Sequence, residues 1–138
     1  MAEPRPGDLW RYDYLWHWQA KGGETEGRKT RPTSIVALTH SAAGATHLFL
    51  LPITTKAPDP ARLAIEVPPI EARRAGLDAG HPCWIILDEF NHDILESSWY
   101  FDPAARIGRF GDTFHRQVMR LFEAALRARR TTRIPRRD

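Results

Sequence analysis

Cysteine is almost missing from this sequence. Cys83 is the only one among 138 residues, so no disulfide can form within the chain. A chain of this length buries enough surface to fold on its core alone, and a reducing compartment suits it. Trp84, Ile85, Ile86 and Leu87 follow the cysteine, a setting that predicts a buried, unreactive thiol. Also missing is any apolar run near the ~18 residues of a membrane span. The opening residues Met1-Ala2-Glu3-Pro4-Arg5-Pro6 contain no apolar secretion core, so the expectation is a cytoplasmic protein without a membrane partner. No G-x-S-x-G elbow, phosphate loop or dinucleotide fingerprint occurs, which sets aside those nucleophile and nucleotide chemistries. His81 and Cys83 offer half of a zinc spacing with no second half. Asp88, Glu89, His92 and Asp93 read more simply as a strand turning polar than as a cation site. No metal and no cofactor are therefore expected.

Positive charge is scarce over most of the chain, despite a sequence pI of about 9.4 and a formal charge of +3. Residues 127–138 hold six arginines and one aspartate; the other 126 residues carry 14 basic and 16 acidic side chains. The basic character thus belongs to the C-terminal end, and pI alone says nothing about nucleic-acid binding by the folded body. The arginines read first as a solvated helix end, favourable to the helix dipole, with binding to RNA or an acidic protein as the alternative. Composition is otherwise ordinary for a globular chain, and the length suits one domain over residues 1–130 with a basic tail over 131–138.

Aromatic residues, by contrast, are concentrated. Trp10, Tyr12, Tyr14, Trp16 and Trp18 occupy every second position after Gly7-Asp8, which predicts one strand with all five on the same face. That face would line the core, or in part present a platform for bases or a protein partner. Residues 19–32 are polar and glycine-bearing and read as a long mobile loop. Residues 33–39 and 46–53 read as a hairpin turning at Gly44, with Pro52 at an edge or bulge because it cannot donate to a ladder. A short strand over 63–67, a short helix over 68–75 closed by Gly76, and a buried strand over 83–90 follow; 97–101 is a further candidate strand. Asp112 reads as the N-cap of a C-terminal helix ending near Arg130, with Phe114, Val118, Leu121, Phe122 and Ala125 as its apolar stripe; residues 134–138 should fray. Many short strands with a middle helix and a terminal helix predict a mainly β (α+β) fold, a small antiparallel β-barrel with a covering helix.

Four segments in this order resemble the MazF/PemK family of toxins. They are Gly7-Asp8-Leu9-Trp10; Gly27-Arg28-Lys29-Thr30-Arg31-Pro32 ahead of an apolar strand; Leu51-Pro52-Ile53-Thr54; and Trp84-Ile85-Ile86-Leu87-Asp88-Glu89, an apolar strand ending in acid. The sequence departs from the family in its long first loop, in Trp16-His17-Trp18, in Asn91 where a basic residue is frequent, and over 91–111. The resemblance implies an SH3-like barrel and a homodimer. It also implies metal-free cleavage of single-stranded RNA, and pairing with an acidic, partly disordered antitoxin protein. By the same resemblance Arg31, Thr54 and Asp88 are the candidate catalytic residues, with Glu26, Arg28, Lys29 and Thr55 around the substrate. The chemistry suits these types. Attack of a 2′-hydroxyl on phosphorus builds negative charge that a planar guanidinium matches, and a threonine hydroxyl adds a donor. Asp88, Glu89 or Glu26 would accept the proton, the choice being open. The alternative is a non-catalytic barrel of the same ancestry that binds a protein or RNA.

Overall fold

A computed structural model describes residues 3–136. Eight strands form one mainly antiparallel sheet, accompanied by three helices. The strands are β1 Asp8–Tyr12, β2 Arg31–His40, β3 Thr46–Thr54, β4 Ala64–Glu66, β5 Trp84–Ile86, β6 Glu89–Ile94, β7 Arg106–Arg109 and β8 Thr132–Pro135. The helices are α1 His17–Lys21, α2 Pro69–Arg74 and α3 Asp112–Arg127. The ladder runs β4-β5-β3-β2-β1-β7, with β6 pairing β3 and β8; β4 and β7 stand at its two ends, and no ladder joins them among the described residues.

Side-chain alternation divides the core in two. Leu9, Val36 and Leu51 join one cluster with Ile85, Phe114, Val118 and Phe122, so α3 lies over that face. Their neighbours Trp10, Ile35 and Leu50 join the other with Tyr12, Tyr14, Leu48 and Phe101. Adjacent strand residues point to opposite faces, and here both faces are covered. Each fully buried large side chain contributes roughly 1.5–3 kcal/mol. Trp10, Tyr12 and Tyr14 are therefore main supports of the fold, as expected for the first half of the aromatic run.

The second half of that run departs from the predicted strand. β1 stops at Tyr12 because a row of inward polar side chains on β6 seizes the following backbone. Asn91 accepts from Leu15 N (2.9 Å) and donates to Leu15 O (2.8 Å), and Glu89 accepts from His17 N (2.9 Å). The Gln19 side chain accepts from Trp16 N (2.9 Å), the reach-back half of a capping box, and α1 begins there. Trp18 consequently leaves the face shared by Trp10, Tyr12 and Tyr14, while the partly buried Trp16 still packs against that cluster.

Other differences have equally local causes. The predicted strand over 83–90 is two strands, broken at Leu87 and Asp88. β6 pairs with His47–Leu50 of β3 and β5 with Ile53 and Thr54, so Leu51 and Pro52 have no partner on that edge. Pro52 sits inside a central strand, at the place where the neighbouring strand changes. The candidate strand over 97–101 is not formed: a 3-10 turn, Leu95–Ser97, runs into its first residue and irregular backbone follows, and β7, unforeseen, pairs with β1. Gly111, not Asp112, caps α3; Asp112 is its first residue, still favourable to the dipole, and Leu121 is 40% exposed rather than packed. The tail does not fray at Ile134: Thr132–Pro135 adds to the sheet parallel to β6, with Ile134 buried. Arg137 and Asp138 lie outside the described residues.

Candidate functional site

Arg31 opens β2 and Thr54 closes β3. The two strands pair with Thr33 opposite Pro52, and Arg31 and Thr54 each lie two residues beyond that pair at the same end of the hairpin. Both line one cleft of about 980 Å³, with Lys29, Thr55, Arg11, Lys56 and Arg62 among its walls. Its carboxylates are Asp59 and Asp78, each already accepting a backbone N–H of its own loop. Arg62 is neutralised by Asp88 and Glu89, so four cations against two carboxylates give the cleft a positive field although the body of the chain is nearly neutral.

Arg31 is the most distinctive of these cations. Burial lowers its pKa, and its Nε is buried without a hydrogen-bond partner among the described residues. The guanidinium lies 4.9 Å from the centroid of the Trp16 ring, a cation–π contact that holds the fork without neutralising it. A half-buried guanidinium with an unpaired buried donor is chemically suited to an anion, because a buried donor left unmade costs about 1–3 kcal/mol. Thr54 Oγ1 accepts from Lys56 N (3.1 Å), which fixes the hydroxyl at the turn and leaves its proton to donate.

The predicted loop over 19–32 is shortened by α1 and β2 to residues 22–30, which are tied to the body by hydrogen bonds. Glu24 N donates to Gln19 O (3.0 Å), and Thr25 O accepts from Arg136 Nη2 (3.3 Å). Gly27 lies so close to the Asp13 carboxylate and the Tyr14 carbonyl that a side chain there would collide with both. Arg136 is buried, donates to Asn91 Oδ1 (3.0 Å) and Asp13 O, and stacks on Tyr100 at 3.9 Å. One arginine of the supposed solvated tail is thus an internal clasp, and it brings a cation beside Asn91.

The remaining candidates fall outside the cleft wall. Asp88 is held by Arg62, whose Nε lies 3.1 and 3.2 Å from its two carboxylate oxygens and whose Nη2 lies 2.5 Å from Oδ1; Leu63 N also donates to it. Glu89 accepts from Arg62 (2.8 Å), Tyr14 Oη (3.1 Å) and His17 N. Asp88 therefore reaches the cleft only through the arginine that it orients. Glu26 is exposed on the loop, and Arg28 pairs with Glu24 (3.1 Å) while lying over Trp18. Asp93 is spent on Tyr12 and Ser98, and His92 on His47 and Arg133, so the acids and histidine of β6 do not converge. Among the described residues no three His, Cys, Asp or Glu side chains gather in a manner that could hold a metal ion. Cys83 is buried and contributes to the cleft lining, its thiol pushed up by burial and by Glu66. Arg11, Lys56 and Arg62 were not singled out from sequence. Arg11 carried a signal, as the outward charge between the inward Trp10 and Tyr12.

The fold and the cleft together define a β-sheet protein with a cationic, tryptophan-edged groove, a site class suited to a polyanion. No protein-family model matches the sequence, and no curated protein matches it either. Among the described residues no helix is long and apolar enough to cross a membrane.

Proposed function

We propose that this protein is a metal-independent endoribonuclease of the MazF/PemK kind, on a sheet related to the SH3-like barrel. It would act on single-stranded RNA in the cytoplasm, as a homodimer restrained by an acidic antitoxin. The observation that carries this reading is that Arg31 and Thr54, far apart in the chain, line one cationic cleft. A phosphodiester seated there receives the Arg31 fork and the Thr54 hydroxyl on its non-bridging oxygens, while Lys29, Lys56 and Arg11 hold flanking phosphates. The 2′-hydroxyl attacks phosphorus, the bond to the 5′ oxygen breaks, and the 2′-hydroxyl proton passes by way of solvent to the departing 5′ oxygen, leaving a cyclic phosphate and a 5′-hydroxyl. Arg31 stabilises the charge that builds in between. Asp88 serves as a positioning residue, fixing Arg62 at the cleft wall.

A second reading, a non-catalytic barrel that binds RNA or a protein, is favoured by one observation: Asp88, Glu89 and Glu26 all stand off the cleft wall. Incubation of mixed single-stranded RNA with EDTA, followed by analysis of the ends, separates the two. The nuclease yields cyclic phosphate ends, and Arg31→Ala slows it about 10²–10³-fold with the fold intact. RNA bound but left whole by the wild-type protein selects the second reading.

A further inference from the structure

Trp18 is 57% exposed and belongs to neither core cluster. Its position is nonetheless built. α1 is only five residues long, yet Glu89 and Asn91 hold the backbone leading into it, and its Gln19 is buried and caps its first turn. The effect of this anchoring is to carry two indoles to the cleft wall beside Lys29, Arg31 and Lys56. Trp16 stands half-buried, edge-on to Tyr14 at 5.1 Å, with the Arg31 guanidinium against its ring. Trp18 has Arg28 at 4.9 Å from its ring centroid and the larger part of its surface open.

Such a surface joins two chemistries. Cations at the cleft wall suit a phosphate backbone, and an open indole beside them suits the flat face of a base. Both are offered together by a single strand, whereas a duplex keeps its base faces stacked inside. Base–aromatic stacking tolerates any sequence, because every base has a π face. An acidic peptide would answer the cations and leave the indole unused.

We propose that Trp18 is a base-stacking subsite for single-stranded RNA, taking the base of a nucleotide next to the phosphate seated at Arg31, with Trp16 bracing that guanidinium. The proposal rests on the reading that the cleft takes RNA, not on cleavage.

The test uses the full chain and a mixed-sequence strand, 2′-O-methylated throughout so that it cannot be cut, with binding followed by fluorescence anisotropy. Trp18→Ala is expected to weaken binding about 5- to 100-fold, with Trp18→Phe close to wild type. Trp18→Ala should leave the salt dependence unchanged, while Arg31→Ala lowers its slope by about 0.7. On an abasic strand of the same length, wild type and Trp18→Ala should bind alike. Wild-type affinity in Trp18→Ala, an equal loss on the abasic strand, or preference for an acidic peptide over RNA would each overturn the subsite. Cleavage of unmodified RNA is measured alongside. Cleavage with Trp18-independent binding removes only the subsite, and Trp18-dependent binding without cleavage removes only the nuclease reading.

Discussion

Arg62 and Asp88 show how one residue's role changes once its neighbours are known. An acid at the end of an apolar strand reads in sequence as a proton acceptor. In the fold its oxygens face a guanidinium and the Leu63 N–H, and the same arginine reaches the buried Glu89. Asp88→Asn is therefore expected to cost stability, about 1–2 kcal/mol for a partly exposed pair, because Arg62 loses its bidentate partner. Thermal melting of the variant measures this. A variant that melts like the wild type would show that the pair with Arg62 contributes nothing to stability. Arg31 and Thr54 were legible because each lies inside a local motif. Arg62 was not, since nothing next to it in the chain announces a partner 26 residues away.

At the scale of elements, the hairpin of β2 and β3, the short α2 and the apolar stripe of α3 follow from periodicity and from glycines such as Gly76, whose φ of +83° ends α2. α1 and β8 do not, because both are imposed by distant groups. Local pattern favours continuing the aromatic strand; three hydrogen bonds from Glu89, Asn91 and Gln19 decide otherwise. β8 is short and polar, and only its parallel pairing with β6 and the burial of Ile134 and Arg136 make it a strand. Arg136→Ala should lower stability by about 2–4 kcal/mol, since it strips a charged donor from buried acceptors. It should also speed amide exchange over residues 13–15 and 24–27. Denaturant unfolding and hydrogen exchange read the two effects, and a variant unchanged in both would mean that Arg136 clasps nothing.

For the whole molecule, acid sensitivity follows from its histidines. Burial, followed by the charge of Arg133 and by His47, holds His92 down at about 4, and burial lowers His115, whose ring nitrogens have no partner among the described residues. Below about pH 6.5 the unfolded chain takes up protons that the folded chain refuses, so stability is full above that pH and declines toward about 4. Asp13, raised by burial, opposes this in part. Between pH 7.5 and 5 the loss should be about 1–2 kcal/mol, allowing for partial exposure of His92. Thermal midpoints across that range check it: they should fall toward pH 5, less so in His115→Leu, and a flat profile would refute the assignment.

The clasp at Arg136 also sets an order of events. Its guanidinium meets the carbonyls of Asp13 and Thr25 from 123 and 111 residues downstream. A nascent chain emerging from the ribosome therefore displays Lys29, Arg31 and Trp18 long before the segment bearing them can be locked. Whatever the cleft engages, it meets a finished seat only after Arg136 has been translated and has reached those carbonyls.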